Sequence, residues 1–298
     1  MSPNVLMAWC PSERYENTLA QHLLDTAVVA MRIGRIRGMI SALASKLSMM
    51  ELAGEEEVSS LVLSSLLLHD IGKGCSKYQE SIKKKGDKCG ASFPYHEVVS
   101  AIILANAIIE DPRLRALLGG DRTAPVIVYV ALSHHQAMKE RAIEALQEEK
   151  TKLASNVASR CGKLLIREIL CTLDELSNKL PKALSNYVTY EVITRIKEII
   201  GEVKSATHDL NIYRETLMLY LSFAEREGGY RLIRDFIDNY DPRVWQLAYS
   251  ASGVVMISDS LAAAAERSEE VRGLTRSLLR ELKISIKDLD RILREIHG

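Results

Sequence analysis

The chain has 298 residues, 47% of them hydrophobic, and its 39 basic residues balance its 39 acidic ones. That apolar share allows a sizeable core, and the neutral balance excludes a global positive field for nucleic acid, leaving only a local basic patch to serve that purpose. Leu, Ile, Ala, Glu, Lys and Arg dominate over Gly, Pro, Phe and Trp, which favours helix over sheet.

The cysteines are Cys10, Cys75, Cys89, Cys161 and Cys171, odd in number and without CxxC spacing. The expectation is neither a disulfide framework nor a structural zinc site, and a reducing, cytoplasmic setting. The N-terminal MSPNVLMAWCPSER lacks the basic start and long apolar stretch of a signal peptide. No apolar run is expected to approach the ~20 residues that span a bilayer.

In chain order, helical periodicity predicts elements over residues 17–46, 57–70, 95–110, 124–135, 139–158 and 163–180, then over 190–203, 208–227, 230–239, 243–267 and 284–296. VIVYVAL at 126–132 is β-branched enough for a strand, but it follows Thr123 and Pro125, an N-cap and early-helix pair, and reads as helix. Residues 73–93 read as the longest irregular stretch. It carries Lys73, Lys77, Lys83, Lys84, Lys85 and Lys88 against Glu80 and Asp87. No repeat or linker divides the chain. A single all-α domain over 1–298 is expected, with residues 140–250 adding helices without recognisable chemistry.

Five histidines interrupt or adjoin apolar helical runs: His22 in TLAQHLLDTAVVA, His69 after SSLLL, His96 in FPYHEVVSAIILA, and His134 with His135 after VIVYVALS. One such histidine is ordinarily a hydrogen-bonded core residue. Five of them, two adjacent and one beside an acid, shift the balance, because a shared metal satisfies several buried imidazoles at once. Asp259 sits in SGVVMISDSLAAAA, with little else charged before Glu266. A buried carboxylate there must be paired, protonated or metal-bound; a bond to Ser258 or Ser260 is the plain alternative. Adjacent residues on a helix point roughly 100° apart, so His69 and Asp70 can serve one ion only at a helix end, which Gly72 and Gly74 fit. There Asp70 can bridge two ions with its two oxygens. Divalent ions about 3.5–4 Å apart suit phosphodiester cleavage.

The ordered set His22, His69-Asp70, the later histidines and Asp259 resembles the HD superfamily of metal-dependent phosphohydrolases. HLLDTAVVA at 22–30 is similar to that family's first-helix motif, HDIGKGCSKYQ at 69–79 to HDxGKxxxxFQ, HEVVSA at 96–101 to HExxSA, SHHQ at 133–136 to the HHG step and ISDSLAA at 257–263 to the closing ADxxA-like helix. Together these resemble the HD nuclease of type I CRISPR systems. Without GxxxxGK[ST] or a DExH-type sequence, the chain is similar to the stand-alone nuclease subunit found chiefly in archaea. Gln136 departs from the glycine after the double histidine, and Ser260 from an arginine that often follows the last aspartate.

The resemblance implies an all-α HD bundle that cleaves single-stranded DNA unwound by a separate helicase, with an RNA-guided surveillance complex as further partner and no membrane. It implies two divalent ions, one on Asp70, His96, His134 and His135, the other on His22, His69, Asp70 and Asp259. So histidine-rich a set suits Mn²⁺, Fe²⁺, Co²⁺ or Ni²⁺ better than Mg²⁺. His135 supporting a ligand from behind, and His22 donating to Asp70 or substrate, are the alternatives. Lys73 is a candidate contact to the scissile phosphate, or else a surface lysine. Lys77, Tyr78, Lys83, Lys84, Lys85 and Lys88 can track a single strand, with Tyr78 stacking a base; a solvated loop and a core tyrosine are the alternatives. Glu97 is expected to orient a ligand histidine. Two competing readings are a phosphohydrolase of nucleotides or cyclic nucleotides and a non-catalytic helical adaptor. The HDIGKGCSKYQ and HEVVSA contexts favour a polymer substrate.

Overall fold

A computed structural model describes residues 5–9, 17–85, 93–135, 156–157, 159–181, 187–206, 241–267 and 273–297. The fold is all-α: among the described residues, only two isolated bridge pairs, Met7 with Thr18 and Cys75 with Leu164, are extended pairings. The helices are α1 (Leu19–Arg32), α2 (Gly34–Met49), α3 (Glu55–Leu68), a 3₁₀ turn (Ile71–Gly74), α4 (Ser76–Lys85), α5 (His96–Glu110) and α6 (Pro112–Leu117). They continue as α7 (Pro125–Ser133), α8 (Ile166–Lys179), α9 (Tyr187–Ala206), α10 (Pro242–Arg267), α11 (Gly273–Leu282) and α12 (Ile286–His297).

α1 is buried along nearly its whole length. It packs on α3, α8, α10 and α12, while α7 packs on α3, α5 and α10. Thr18 starts α1 by accepting the Gln21 N–H on its hydroxyl at 3.1 Å. Three glutamates fill the first turn of α3, where they suit the helix dipole, and the Glu57 carboxylate accepts the Gly54 N–H at 2.8 Å. α8 and α9 pair with each other, and between them they cover α1, α3, α5, α6 and the 3₁₀ turn.

Several expectations need correction. The helix expected over 17–46 breaks at Ile33, which is extended, and restarts at Gly34. Residues 76–85 are helical rather than irregular. SKYQESIKKK is rich in good helix formers and buries Tyr78 and Ile82, four apart on one face. α6 and α11 were not foreseen. Thr123 does not cap α7; its hydroxyl donates to the Leu118 carbonyl at 2.6 Å, and Ala124 precedes Pro125 at the helix start. α10 does hold a stretch, Pro242–Glu266, long and apolar enough to cross a bilayer. Its Leu247, Ala251, Val254, Val255, Leu261 and Ala262 are buried in a helix that packs on α1, α2, α3 and α7. The elements expected at 208–227 and 230–239, and nearly all of 139–158, lie outside the described residues.

The cysteine expectation also fails. Cys75 and Cys161 form a disulfide, with Cα atoms 4.8 Å apart across 86 positions of sequence. No local spacing could have signalled it, because main-chain pairing brings the two together: Ser76 N–H donates to Lys163 O and Leu165 N–H to Gly74 O, both at 2.8 Å. With that bond formed, the cysteines no longer point to a reducing setting. Cys171 is free and exposed.

Candidate metal centre

Three leucines, Leu66, Leu67 and Leu68, end α3 fully inside the core. His69 is the C-cap, and Asp70 turns the chain into the 3₁₀ segment with φ −106° and ψ 9°, a region where active-site residues often sit. The carboxylate of Asp70 thereby leaves the helix axis. Its Oδ1 lies 2.9 Å from His96 Nε2 and 3.2 Å from His134 Nε2. Its Oδ2 lies 3.4 Å from His22 Nε2 and 3.6 Å from His69 Nε2. Asp259, on α10, brings Oδ1 to 3.0 Å from His22 Nε2 and 3.7 Å from His69 Nε2. His135 Nε2 stands 3.0 Å from His96 Nε2.

All seven expected ligands thus meet in two groups that share Asp70. One is Asp70, His96, His134 and His135; the other is His22, His69, Asp70 and Asp259. Within each group the candidate donor atoms lie within 4.8 Å of one another. His22 Nε2, His69 Nε2, His134 Nε2, both Asp70 oxygens and Asp259 Oδ1 are buried, yet none makes a hydrogen bond of acceptable geometry. Atoms this close and still unbonded converge on common points, which is the arrangement a divalent ion fits. No bond joins Asp259 to the Ser258 or Ser260 hydroxyl, so the plain alternative for that residue is not realised.

The local chemistry keeps the ring nitrogens in role. Nδ1 of His69, His96 and His134 faces the carbonyl oxygen three residues earlier, of Leu66, Phe93 and Ala131 respectively. A proton on Nδ1 leaves the Nε2 lone pair for an ion. Glu97 Oε2 also approaches His96 Nδ1, at 3.2 Å.

Gly72 sets how close the 3₁₀ turn comes to α5. A Cβ there would lie 2.2 Å from the His96 carbonyl oxygen and 2.6 Å from the Ser100 nitrogen, whereas the Gly72 N–H donates to Ser100 Oγ at 2.8 Å. A Cβ on Gly74 would meet Ile169 at 2.6 Å. The helix does end here as expected, but neither glycine has a positive φ, so both serve close approach rather than a left-handed cap. A left-handed residue beside the centre is Tyr95, at φ 66°, which turns the chain into α5 just before His96; that conformation costs a non-glycine residue about 1–2 kcal/mol.

Lys73 is neither a surface lysine nor open to solvent. It is fully buried, with Nζ 2.5 Å from Asp70 Oδ2 and 3.8 Å from the centre of the Trp9 ring, and Phe93 beyond. Burial alone would raise the Asp70 carboxyl, but the Lys73 ammonium, with His69 and His96, holds it well below the usual carboxylate range. Burial likewise opposes the Asp259 charge, and His22 and His69 override it, again to a low value. Burial together with His134 and His96 pushes the His135 imidazole down to about 2.

Tyr78 is 2% exposed and donates its hydroxyl to the Pro94 carbonyl, so it takes the core alternative. Gln79 braces the N-terminal segment, accepting the Met7 N–H at 2.9 Å and donating to the Met7 and Lys73 carbonyls. Lys77 donates to the Ser159 carbonyl at 2.6 Å. Lys83, Lys84 and Lys85 lie in the last turn of α4, and Lys88 and Gln136 lie outside the described residues. Glu266 was missed. It sits behind His22 on α10, seven residues after Asp259 and so on the same helix face, which was the available signal.

An all-α bundle that gathers five histidines and two aspartates, with a helix-ending His-Asp pair at the hub, is the architecture of an HD-type metal-dependent hydrolase. Residues 11–219 match the family model described as "Cas3, HD domain", and the chain belongs to that family. It is accordingly an HD hydrolase of the CRISPR-associated nuclease type. Asp259 and Glu266 lie beyond the matched span and join the centre through the fold. Nothing among curated proteins or solved structures matches the chain.

Proposed function

We propose that this protein is a metal-dependent nuclease that hydrolyses phosphodiester bonds of single-stranded DNA. It would act in the cytoplasm in CRISPR interference, with a separate helicase exposing the strand and an RNA-guided surveillance complex defining the target. The observation that carries the reading is the division of Asp70: each of its oxygens serves its own set of imidazoles. When bound there, two divalent ions, of the transition series by the donor set, would acidify water and stabilise charge on the leaving oxygen.

The residues of the chain supply the rest. His96, His134 and His135 hold one side of Asp70, and His22, His69 and Asp259 hold the other. Lys73 keeps Asp70 ionised and in place, so its role shifts from touching phosphate to positioning the bridge. The partial exposure of His135, beside His96, opens the centre to substrate on that side. The basic residues of α4, with Lys88 beyond it in sequence, remain the proposed track for a strand, without Tyr78 as a stacking platform.

One observation favours a smaller substrate. Tyr78 and Gln79, which tilted the motif toward a polymer, are both engaged in packing. A single assay separates the readings. The full chain is given Mn²⁺ with single-stranded DNA, duplex DNA, dNTPs or a cyclic dinucleotide. Cleavage of the single strand that Asp70→Ala abolishes is the expected result. Consumption of dNTPs or the cyclic dinucleotide while DNA survives would move the assignment to a nucleotide phosphohydrolase. Full activity of Asp70→Ala would end the metal-centre reading.

A further inference from the structure

The ligand histidines are oriented by two different devices. His69 and His134 cap the C-terminal ends of α3 and α7, and His96 opens α5. Helix ends leave backbone carbonyls without intrahelical partners, and the carbonyls of Leu66 and Ala131 are of this kind. The Phe93 carbonyl, just ahead of α5, serves His96 in the same way. Each of the three imidazoles can therefore hold its Nδ1 proton on the main chain. His22 does not: it lies inside α1, and its Nδ1 turns to a side chain instead.

A side chain fills that need. The two oxygens of Glu266 lie 3.0 and 3.1 Å from His22 Nδ1, and Glu266 is 1% exposed. A carboxylate accepts and does not donate, so Glu266 requires a proton on His22 Nδ1; an ion seated between Nε2 and the Asp70 and Asp259 carboxylates would then take the Nε2 lone pair. A charged acceptor also makes an imidazole a stronger ligand than a neutral carbonyl does.

We propose that Glu266 is the positioning residue of the site formed by His22, His69, Asp70 and Asp259. It fixes the His22 tautomer and makes this site the tighter of the two for a divalent transition ion. The inference rests on the metal-centre reading above and deepens it. Because Asp259 and Glu266 are two turns apart on one face of α10, a single helix delivers both a direct ligand and the group that aims another.

The test is Mn²⁺ calorimetry on the full chain, comparing wild type, Glu266→Gln, His22→Gln and the double variant. Glutamine keeps the shape and can still accept the Nδ1 proton, but it removes the charge. The expected result is two ions in wild type, with Glu266→Gln weakening one of them by about 10–100-fold and the other by less than about twofold. In the His22→Gln background, Glu266→Gln should add nothing, since its effect runs through His22. Unchanged affinities, equal weakening of both ions, or the same loss without His22 would each overturn the proposal.

A second readout needs no variant. In the Zn²⁺-loaded wild-type chain, ¹⁵N spectra of the histidines should place the His22 proton on Nδ1; a proton on Nε2 overturns the assignment. Neither readout uses DNA. Two ions with the expected Glu266 effect but no DNA cleavage would sink the nuclease reading and leave this one standing. Cleavage with an inert Glu266→Gln would do the reverse.

Discussion

The two halves of the centre share Asp70 and differ in almost everything else. The half made by His96, His134 and His135 comes from one stretch of chain and holds three imidazoles to one carboxylate oxygen, with His135 partly exposed. The half made by His22, His69 and Asp259 joins the two ends of the described chain. It holds two imidazoles to two carboxylates, all buried, with Glu266 behind. With more negative charge and deeper burial, the second half would be the holding site of the proposed two-ion centre, while the first, through the partly exposed His135, would meet substrate. A divalent centre built this way would separate retention from turnover.

The largest effect expected is that of Asp70→Ala, which removes the one element common to both halves. Cleavage should fall to background, and calorimetry should detect no tight Mn²⁺ site; a variant that keeps one tight ion would show that the bridge is dispensable to that half. Next, Asp259→Ala and His135→Ala should split the halves. Each should reduce two ions to one tight ion, with Asp259→Ala losing the tighter and His135→Ala the weaker. Identical isotherms for the two variants would erase the distinction.

Gly72→Ala probes the geometry of one half alone. The added Cβ would collide with the His96 carbonyl and the Ser100 nitrogen, and overpacking of this kind costs about 1–3 kcal/mol. The melting temperature should drop, and the His96 half should lose affinity while the His22 half keeps its ion. Equal loss from both would show that the 3₁₀ turn positions Asp70 for both sides.

The smallest effect concerns protons. Burial opposes charging His22, but Glu266, Asp259 and Asp70 override it and raise its pKa well above the ordinary value of 6.5. His22 therefore carries an extra proton near neutral pH without metal, and an ion must displace it. Binding at that half should release a proton and weaken as pH falls. His135, held at about 2, has none to release. Calorimetry of the His135→Ala variant in buffers of different ionisation heat counts the proton; no buffer dependence would contradict the assignment.

Much of this was legible in the sequence because the ligands are chemically out of place. His22 within TLAQHLLD and Asp259 within VVMISDS interrupt apolar helical faces, and burial of such groups demands a reason. The helices were legible for the same cause, a strong periodicity carried by Leu, Ile and Ala. What escaped depended on distance across the fold. Glu266 looked like the end of an apolar run until α10 lay against α1. Gly72 looked like a helix stop, and its close contact with α5 needed coordinates. The lysines of 76–85 suggested a loop, whereas Tyr78 and Ile82 supply a buried face that makes a helix.

The Cys75–Cys161 bond closes the intervening chain into a covalent ring. His96, His134 and His135 lie on that ring, while His22, His69, Asp70 and Asp259 lie on the two arms that leave it. A single peptide cut inside the ring would leave one molecule, with both arms still joined through sulfur. One cut between His22 and Cys75, or between Cys161 and Asp259, would sever part of the candidate ligand set from that covalent unit. The centre is thus guarded unevenly against proteolysis, and a reductant would remove the guard from the half made by His96, His134 and His135.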